Sequence, residues 1–528
     1  MNALTLSDLQ TGLRFVRKIP AFLRRPVGSR EARTTLKTRF EKRDSDFLGL
    51  MRRAVYENPE SPYLALLKNA GCRFGDLQAE VRRHGLETAL RKIFQEGVFL
   101  TTNEFKGRLP ARRGKLTVQA GLALVRNPLA GRHLLAHSSG STGQNAPVLI
   151  DLAYVRDRAV NHRLALEARG GVGWSHAVWG IPGNTDMVRV LELCALGAPP
   201  DRWFSQVDPR SPRLHPRYRW STRVMRWAGR AWGVALPPPE TVPLSDPKPI
   251  VDWLAGKAAG RETAHIVTWA SPAVRICQAA REAGLGLGHV QFSIGGEPIT
   301  AAKLATIRST GATAVPRFMA MECGYIAYGC LRPSYPDELH VFDDMLMVVQ
   351  PGDRGPERGL PPGALLLTTL RPTAPFILLN VSLGDQAQTA AGTCGCPMEK
   401  LGWTKRLRQV RSFEKLTCGG MTFMDTDVLK ILEVDLPERF GGTGFDYQLV
   451  ELEDAAGSPQ IKLIINPSLG PCDPGRVKDF FLEAMGAPSG AARVMSLQWR
   501  DGGFLSVERS VPALGPSGKI VHILKKRA

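Results

Sequence analysis

The sequence predicts an α/β protein in which a large N-terminal part is followed by a small α+β lobe. Three patterns predict this class. Residues 1–102 carry apolar residues at helical spacing, residues 103–411 alternate short β-rich runs with helical stretches, and residues 412–528 show two neighbouring strand patterns among helices. Strands that alternate with helices are typical of a parallel sheet with crossover helices.

Residues 1–102 are predicted to form a helical lead-in that belongs to the large part. The stretches 45–71 and 74–94 place apolar residues three and four positions apart, as one face of a helix requires. Turn residues separate these stretches, so we expect several helices rather than one long helix.

Residues 103–411 are predicted to form the α/β core. Its predicted strands are the β-rich runs 177–182, 265–271, 289–296 and 365–370. Helical patterns occupy 153–168 and 271–284. A segment near 203–247 is rich in Arg, Pro and Trp, and we expect an insertion or a long connection there.

The last part, 412–528, is predicted to be a small, mobile α+β lid domain. A helix is expected over 425–433, strands over 445–454 and 458–467, and a second helix over 477–486.

Composition excludes several classes of protein. A hydrophobic content of 43% excludes wholesale disorder, and 53 Gly with 39 Pro, spread without a period, exclude a collagen-like chain. No apolar run approaches the roughly 18 residues of a spanning helix, and the N-terminus lacks the pattern of a signal peptide. Nine cysteines, an odd number, favour a reducing cytoplasm over a disulfide framework.

The formal net charge is +20, which suits a phosphate-rich ligand, nucleic acid or an anionic membrane surface. Eleven Lys and Arg lie between Arg14 and Arg43, and seven Arg lie between Arg210 and Arg230 among Tyr218, Trp220 and Trp227. Arg with interleaved aromatics could stack bases. Solvated helical faces explain the same pattern and are preferred, because no nucleic-acid-binding motif accompanies the charge.

The most informative stretch is a loop of small, hydroxyl-bearing residues that precedes a β-like run. Its backbone N–H groups and hydroxyls could bind a triphosphate without adding bulk. The loop lacks the Gly-Lys-Ser/Thr ending of a Walker loop, and taken alone it is more often a linker. It comprises Ser138, Ser139, Gly140, Ser141, Thr142 and Gly143.

Five further motifs follow this loop along the chain. They are FSIGGEPIT at 292–300, RFMAMECGY with Glu322, LLNVSLGDQ with Asp385, VRSFEKLTCGG with Arg411, and LGPSGKIVHILKKR with Lys519. In order and spacing the set resembles the adenylate-forming ligases, most closely the phenylacetate–coenzyme A ligase-like branch, from about Ser61 to the C-terminus. That family joins a carboxylic acid to ATP, releases pyrophosphate and passes the acyl group to a nucleophile.

The resemblance implies a role for each motif. The loop from Ser138 to Gly143 would bind the ATP phosphates, Glu322 would hold Mg²⁺, and Lys519 would bridge the carboxylate and the α-phosphate. A metal and a cation suit this chemistry, since a carboxylate approaches a highly anionic nucleotide. The other implied nucleotide contacts are Gly295, Gly296 and Glu297 beside the adenine, Asp385 at the ribose, and Arg411 at the boundary between the lobes.

The chain departs from the family pattern at three places. Met321 replaces the usual Thr before Glu322, and NVSLGD ending at Asp385 replaces a motif with two Arg and a Thr. Phe413 stands two positions after Arg411, where the family has its hinge acid, although Glu414 is adjacent. These departures predict a specialised enzyme with altered motion between the lobes.

A second group of residues has the composition of a structural zinc site. Cys330 and His340 are followed by Cys394-Gly-Cys396, and three thiols with one imidazole make a closed tetrahedral set. Relatives in the resembled branch often carry comparable residues. Core packing of four unrelated residues is the alternative, but Cys-x-Cys in a Gly-rich turn favours Zn²⁺.

The leading functional hypothesis is ATP-dependent activation of a carboxylic acid followed by transfer to coenzyme A. By position, Trp179 and Trp269 should flank the acyl pocket, and aromatic walls favour an aromatic acid. An amide synthetase that transfers the acyl group to an amine is the first alternative, favoured by the altered hinge. A catalytically inactive nucleotide-binding homologue is the second. Nucleic acid is not a favoured partner.

Overall fold

The structure is a computed structural model. It describes residues 6–131, 133–137, 147–181, 184–208, 217–413, 415–418, 421–454, 457–487, 490–513 and 523–525. Within these ranges, no helix combines the length and apolarity needed to cross a bilayer.

Helices dominate the first hundred residues. In chain order they are α1 (Leu6–Leu23), α2 (Ser29–Glu41), α3 (Arg43–Met51), α4 (Pro62–Asn69), α5 (Phe74–His84), α6 (Leu86–Gln95) and α7 (Thr102–Phe105). Helix α7 begins with a capping box in which the Thr101 hydroxyl accepts from the Glu104 N–H and the Glu104 carboxylate accepts from the Thr101 N–H. Apolar residues of α1 to α6, among them Ile19, Leu36 and Phe47, are buried.

Strands and helices alternate in the next part of the chain. The strands are β1 (Ala111–Arg113), β2 (Leu116–Val118), β3 (Leu134–His137), β4 (Pro147–Ile150), β5 (Ser175–Gly180), β6 (Arg202–Ser205), β7 (Pro239–Thr241), β8 (Ala264–Trp269), β9 (Val290–Gly295) and β10 (Thr313–Ala320). The helices among them are α8 (Leu152–Ala168), α9 (Asn184–Ala195), α10 (Arg217–Ala231), α11 (Lys248–Ala259), α12 (Ala270–Glu282) and α13 (Ala301–Arg308).

Six further strands complete the described large part of the molecule. They are β11 (Gly324–Gly329), β12 (Leu339–Val341), β13 (Leu346–Val349), β14 (Ala364–Thr369), β15 (Val381–Ala390) and β16 (Arg406–Ser412), with helix α14 (Pro397–Lys400) before β16.

Twelve strands form one sheet with two halves of different character. Its order is β13-β14-β15-β16-β12-β11-β10-β9-β8-β5-β6-β7. Every pairing from β10 to β7 is parallel, and every pairing from β10 to β13 is antiparallel. Strand β8 is buried along its whole length, as expected for a parallel strand covered on both faces. The parallel sheet with crossover helices is therefore confirmed.

The Arg-, Pro- and Trp-rich segment contributes to this sheet. Strands β6 and β7 form its parallel edge, and Trp203 lies within β6. Helix α10 packs against α1, and its Met225 and Ala228 are buried while Trp227 is 66% exposed. The basic helices α1 and α10 therefore pack through apolar residues. This arrangement is expected if their charged residues face solvent.

The C-terminal lobe is a smaller α/β unit. Its elements are β17 (Lys415–Cys418), β18 (Met421–Met424), α15 (Asp425–Lys430), α16 (Leu436–Phe440), β19 (Tyr447–Glu453), β20 (Pro459–Ile465), α17 (Pro474–Gly486), α18 (Gly490–Gly502), β21 (Leu505–Arg509) and β22 (Ile523–Lys525). Four of the strands form a sheet of order β21-β20-β19-β22. The predicted two-part α/β architecture is confirmed, and the residue boundaries at 102 and 411 remain predictions.

Two hydrophobic cores support the site. The first joins the N-terminal helices, α8, α9 and the antiparallel half of the sheet. The second joins β5, β8, β9 and α11 to α13 with apolar residues of the C-terminal lobe, including Tyr447, Phe481 and Trp499. The lobe therefore packs on the parallel half of the sheet.

Candidate active site

The carboxyl ends of three neighbouring parallel strands meet at one edge of the large sheet. Strands β5, β8 and β9 end at Gly180, Trp269 and Gly295, and Arg317 of β10 lies opposite Gly295 in the register. Ligands of open α/β sheets bind outside this edge. We call it the carboxyl edge, and it is the candidate active site.

Two glycines bring the backbone close to its neighbours at this edge. Gly296 has a φ of +77°, and a Cβ there would overlap the indole of Trp269. A Cβ at Gly295 would overlap the carbonyl of Arg317. Only glycine allows this close approach with this backbone conformation. Both residues were predicted to lie beside the adenine, and they stand at the edge where a nucleotide would bind.

Glu297 is already engaged within the protein. Its side chain is 1% exposed, accepts the backbone N–H of Ser271 at 2.8 Å, and also bonds the Ser271 hydroxyl. Ser271 lies in the first turn of α12, so the carboxylate sits at the helix end where orphan N–H groups need acceptors. Lys303 Nζ lies 3.4 Å from the same carboxylate. A contact of Glu297 with adenine would therefore come from its backbone.

Glu322 occupies the turn between β10 and β11 at the same edge of the sheet. It is only 7% exposed, and it forms no ion pair with any residue that the structure describes. A buried carboxylate normally has a compensating charge, and a role of Glu322 in holding Mg²⁺ stays a prediction.

Asp385 and Arg411 lie on adjacent antiparallel strands. Asp385 of β15 pairs with Ser412 of β16, and Arg411 pairs with Gln386. Arg411 donates to Asp337 Oδ2 at 3.0 Å and to the carbonyl of Ile299 at 3.3 Å. Because Ile299 belongs to the segment that follows β9, Arg411 links β16 to the segment that carries the adenine candidates.

The two predicted pocket tryptophans differ in their surroundings. Trp179 is fully buried and its indole N–H donates to the carbonyl of Val242 at 2.9 Å, so the described contacts make it a core residue. Trp269 is 5% exposed, and the guanidinium carbon of Arg189 lies 5.0 Å from the centroid of its ring. A cation rather than an open apolar face therefore lies beside the second indole.

The phosphate loop and the catalytic lysine fall outside the described residues. Ser138 to Gly143 belong to the connection between β3 and β4, which pair antiparallel with His137 opposite Pro147. Lys519 precedes β22. The roles of the loop and of Lys519 remain predictions, as does that of Glu414, which also lies outside the described residues.

Phe413, at the predicted hinge, is described. It donates its N–H to the carbonyl of Gly384 at 2.9 Å and packs against the first core.

The predicted zinc ligands converge beside β11 and β12, the strands of the antiparallel half that lie next to β10. Cys330 follows β11, His340 lies in β12, and Cys394 and Cys396 precede α14. Their four ligand atoms lie within 4.8 Å of one another. His340 Nε2 is 3.2 Å from the Cys396 sulfur and 3.5 Å from the Cys394 sulfur. Tetrahedral Zn²⁺ with these ligands places its donor atoms about 3.5–3.8 Å apart.

Hydrogen bonds around the cluster orient the imidazole and influence the pKa of one thiol. His340 Nδ1 lies 2.6 Å from the Trp403 carbonyl, which can only accept, so Nδ1 carries the proton and Nε2 presents its lone pair to the thiols. Burial opposes ionisation of Cys396, but backbone hydrogen bonds from Glu399 and Leu331 bring the pKa of this thiol below its usual value. Burial raises the pKa of Cys330 and Cys394, so the orientation of the imidazole and the closeness of the four donor atoms are what fit a structural zinc site.

Sequence reasoning missed a group of buried charges at the carboxyl edge. Their residues are Arg158, Asp186, Arg189, Glu192 and Arg317. Charged residues three or four apart on a helix, such as Asp186 and Arg189, usually indicate a solvated face. Only the apolar residues between them, such as Val188, Val190 and Leu191, indicated that α9 is buried on several sides.

Comparison with solved structures identifies the class of fold. No family-level sequence profile matches the chain. No curated protein is significantly similar to it in sequence. One similar structure is a 2-hydroxyisobutyryl-CoA ligase, solved with 2-HIB-AMP and CoA in the thioesterification state. Its TM-score is 0.59 at 15% sequence identity, and the match covers 92% of this chain and 89% of that chain. The amide bond synthetase McbA from Marinactinospora thermotolerans has a TM-score of only 0.42, with 13% identity over 87% of this chain and 92% of that chain.

The match to the CoA ligase spans both parts of the molecule, the large sheet with its helices and the smaller C-terminal sheet. The chain therefore has the fold of the adenylate-forming ligases, as the sequence resemblance implied. The more specific likeness to the phenylacetate–coenzyme A ligase-like branch stays a prediction.

Proposed function

We propose that this protein activates a carboxylic acid with ATP, forms an acyl-adenylate with release of pyrophosphate, and transfers the acyl group to coenzyme A. One observation carries the proposal. The ordered motif residues Gly295, Gly296, Glu322, Asp385 and Arg411 lie in one sheet and its turns, and Arg411 donates to the segment after β9, in a chain that has the fold of a CoA ligase solved with an acyl-adenylate and CoA.

Each residue would have a distinct part in this reaction. Gly295 and Gly296 would lie beside the nucleotide base, and Asp385 would accept hydrogen bonds from the ribose hydroxyls. Glu322 would hold Mg²⁺, which supplies charge compensation for the phosphates. The loop from Ser138 to Gly143 would donate hydrogen bonds to the phosphates, and Lys519 would bring its ammonium group to the carboxylate and the α-phosphate.

The cysteine and histidine cluster would hold one structural zinc ion. Cys330, His340, Cys394 and Cys396 complete a tetrahedral set, so no position remains for substrate. Such an ion would connect the turn before α14 to β11 and β12.

Lys519→Ala tests the proposed chemistry. We expect loss of adenylation with retention of the fold, because the change removes a transition-state cation. The loss should be at least about 2.7 kcal/mol, or roughly a hundredfold in rate. The measurement is release of pyrophosphate with a panel of aryl, acyl and amino acids, and then the acceptor is varied between coenzyme A and amines.

Lys430→Ala is the matched control, since Lys430 lies in the same lobe with its side chain 68% exposed. Its rate should equal that of the wild type. Unchanged adenylation in Lys519→Ala would remove this lysine from the mechanism. Pyrophosphate release followed by transfer to amines alone would replace the coenzyme A step with amide synthesis. Absence of acid-dependent pyrophosphate release across the panel would contradict the proposed function.

A further inference from the structure

Three arginines are buried at the carboxyl edge, and the proposed mechanism does not use them. Arg158, Arg189 and Arg317 are 5%, 5% and 3% exposed. We call them the arginine cluster. They come from three elements, α8, α9 and β10, so the fold rather than local sequence brings them together.

The cluster lies at the ends of three parallel strands, beside Trp269, which is predicted to flank the acyl pocket. The Asp186 carboxylate, which pairs with Arg189, covers Gly180 at the end of β5. Arg189 lies over the Trp269 ring at the end of β8, and Arg317 stands opposite Gly295 at the end of β9. Ligands bind outside the carboxyl ends of parallel strands.

Each arginine has partners but keeps an unused donor. Arg158 pairs with Glu192 at 2.8 Å, and Arg189 pairs with Asp186 at 3.1 Å. Arg317 donates to the Tyr325 hydroxyl at 3.0 Å and to the Ser293 carbonyl at 3.1 Å. The Nε atoms of all three are buried without a hydrogen-bond partner. These Nε groups are therefore available to an acceptor on a bound ligand.

The charges around the cluster do not balance. Arg158 and Arg189 each pair with one carboxylate, and Arg317 forms no ion pair with any residue that the structure describes. Burial raises the pKa of Asp186 to about 7, against the opposing effect of Arg189, so this carboxyl is only partly ionised at neutral pH. Burial lowers the pKa of His162, which accordingly stays neutral beside Glu192. An excess of buried positive charge is unfavourable unless an anion completes it.

We propose that the arginine cluster binds a second anionic group on the acid, so that the preferred substrates are dicarboxylic acids or acids with an equivalent second anion. This inference rests on the proposed function, because the first carboxylate is the one that adenylation consumes. The second group would keep its charge through both half-reactions. The phosphates of ATP are the other source of an anion, and the test separates the two.

The test compares matched acids that differ by one carboxylate. Pyrophosphate release is measured with benzoate against isophthalate and terephthalate, and with hexanoate against adipate, in the wild type and in Arg189→Gln. We expect kcat/KM of the wild type to be at least tenfold higher for the better dicarboxylate of a pair. Arg189→Gln should lose that preference with an unchanged KM for ATP.

Two further variants control for folding and for charge in general. Arg189→Lys keeps the cation and should retain part of the preference. Arg202→Gln removes an arginine at the opposite edge of the same sheet, where its side chain is 54% exposed, and should change nothing. Titration calorimetry of the same acids on the wild type needs no variant to fold, and it should show tighter binding of the dicarboxylate.

Several results would overturn the inference. The inference is wrong if the wild type binds every dicarboxylate no more tightly than its monocarboxylate. It is also wrong if Arg189→Gln keeps the preference for the dicarboxylate. Neither result would contradict the proposed function. A KM for ATP raised in Arg189→Gln would assign the cluster to the nucleotide instead. If no acid releases pyrophosphate, the proposed function fails, and the calorimetry still decides whether the cluster recognises a second anion.

Discussion

At the scale of single residues, hydrogen-bond partners decide which candidates are available to a ligand. Glu297 is occupied by Ser271 and Lys303, and the indole N–H of Trp179 is occupied by Val242. His340 shows the opposite case, since its Nδ1 proton is committed to Trp403 and its Nε2 faces two thiols. A ligating imidazole usually has such a partner on its other nitrogen.

The zinc prediction belongs to this scale. Protein purified without chelator should contain about one zinc ion per chain, and Cys396→Ser should lower metal content and thermal stability together, since binding at a structural site contributes directly to folding. Cys277→Ser is the control, because Cys277 is equally buried but lies in α12, away from the cluster. Metal analysis that finds no zinc in the wild type would contradict the prediction.

At the scale of secondary-structure elements, α13 joins the site to the C-terminal lobe. Its Lys303, 2% exposed, lies 3.4 Å from Glu297 after β9 and 3.3 Å from Glu453 at the end of β19. Burial alone would lower the pKa of Lys303, but Glu297 and Glu453 together raise it above the usual value, so the side chain stays charged. Thr300, the N-cap of α13, also bonds Glu453.

Lys303→Met should weaken the docking of the lobe. The substitution keeps a stem of similar length but leaves two carboxylates facing each other without their cation, and breaking a buried pair in this way typically costs about 3–5 kcal/mol. We expect a lower thermal midpoint and a larger radius of gyration in small-angle X-ray scattering. Adding Glu453→Gln should restore part of the loss, because it removes one of the unpaired charges.

The control for this prediction is Lys462→Met, which breaks an ion pair with Glu508 inside the lobe at a site where both side chains are at least 36% exposed. Exposed pairs contribute about 0–1 kcal/mol, so its scattering curve should match the wild type. An unchanged curve and midpoint in Lys303→Met would show that α13 does not hold the lobe.

At the scale of the whole molecule, the lobe is held by both apolar and polar contacts. One hydrophobic core continues from β8 and β9 into the lobe. Arg275 of α12 lies over the Phe504 ring at 5.0 Å and donates to the Gly502 carbonyl, and Gln206 bonds Gln498. Movement of the lobe between half-reactions would have to break these contacts.

Phe413 belongs to this scale, because it stands where the resembled family has its hinge acid. A Phe should prefer burial to an exposed pivot and bias the chain toward one arrangement by about 1–2 kcal/mol. Adenylation should then be fast and acyl transfer slow, and Phe413→Asp should speed the second step selectively. Single-turnover measurements of the two half-reactions test this expectation.

Phe445→Asp serves as control, since Phe445 is 63% exposed in the same lobe, and it should leave both rates unchanged. Equal effects of Phe413→Asp on both half-reactions, or slower transfer, would mean that the pivot lies elsewhere.

The sequence by itself determined the class of fold, because the necessary signals are local. Runs such as the wholly buried β8, followed directly by α12, show the apolar pattern and the alternation in a few neighbouring residues. The order of Gly295, Glu322, Asp385 and Arg411 along the chain was likewise sufficient to imply the adenylate-forming fold. The zinc ligands could be proposed from residue type alone, since few side chains offer that chemistry.

Only the tertiary structure decided which charges are buried and what they face. Asp186 and Arg189 have the spacing of a solvated helix face, and they are buried because α9 packs against α8 and the large sheet. Lys303 forms an ion pair with Glu453, 150 positions further along the chain, because the C-terminal lobe packs against α13. Spacing along a chain carries no information about such partners, because burial and pairing depend on the elements that cover a residue, not on its sequence neighbours.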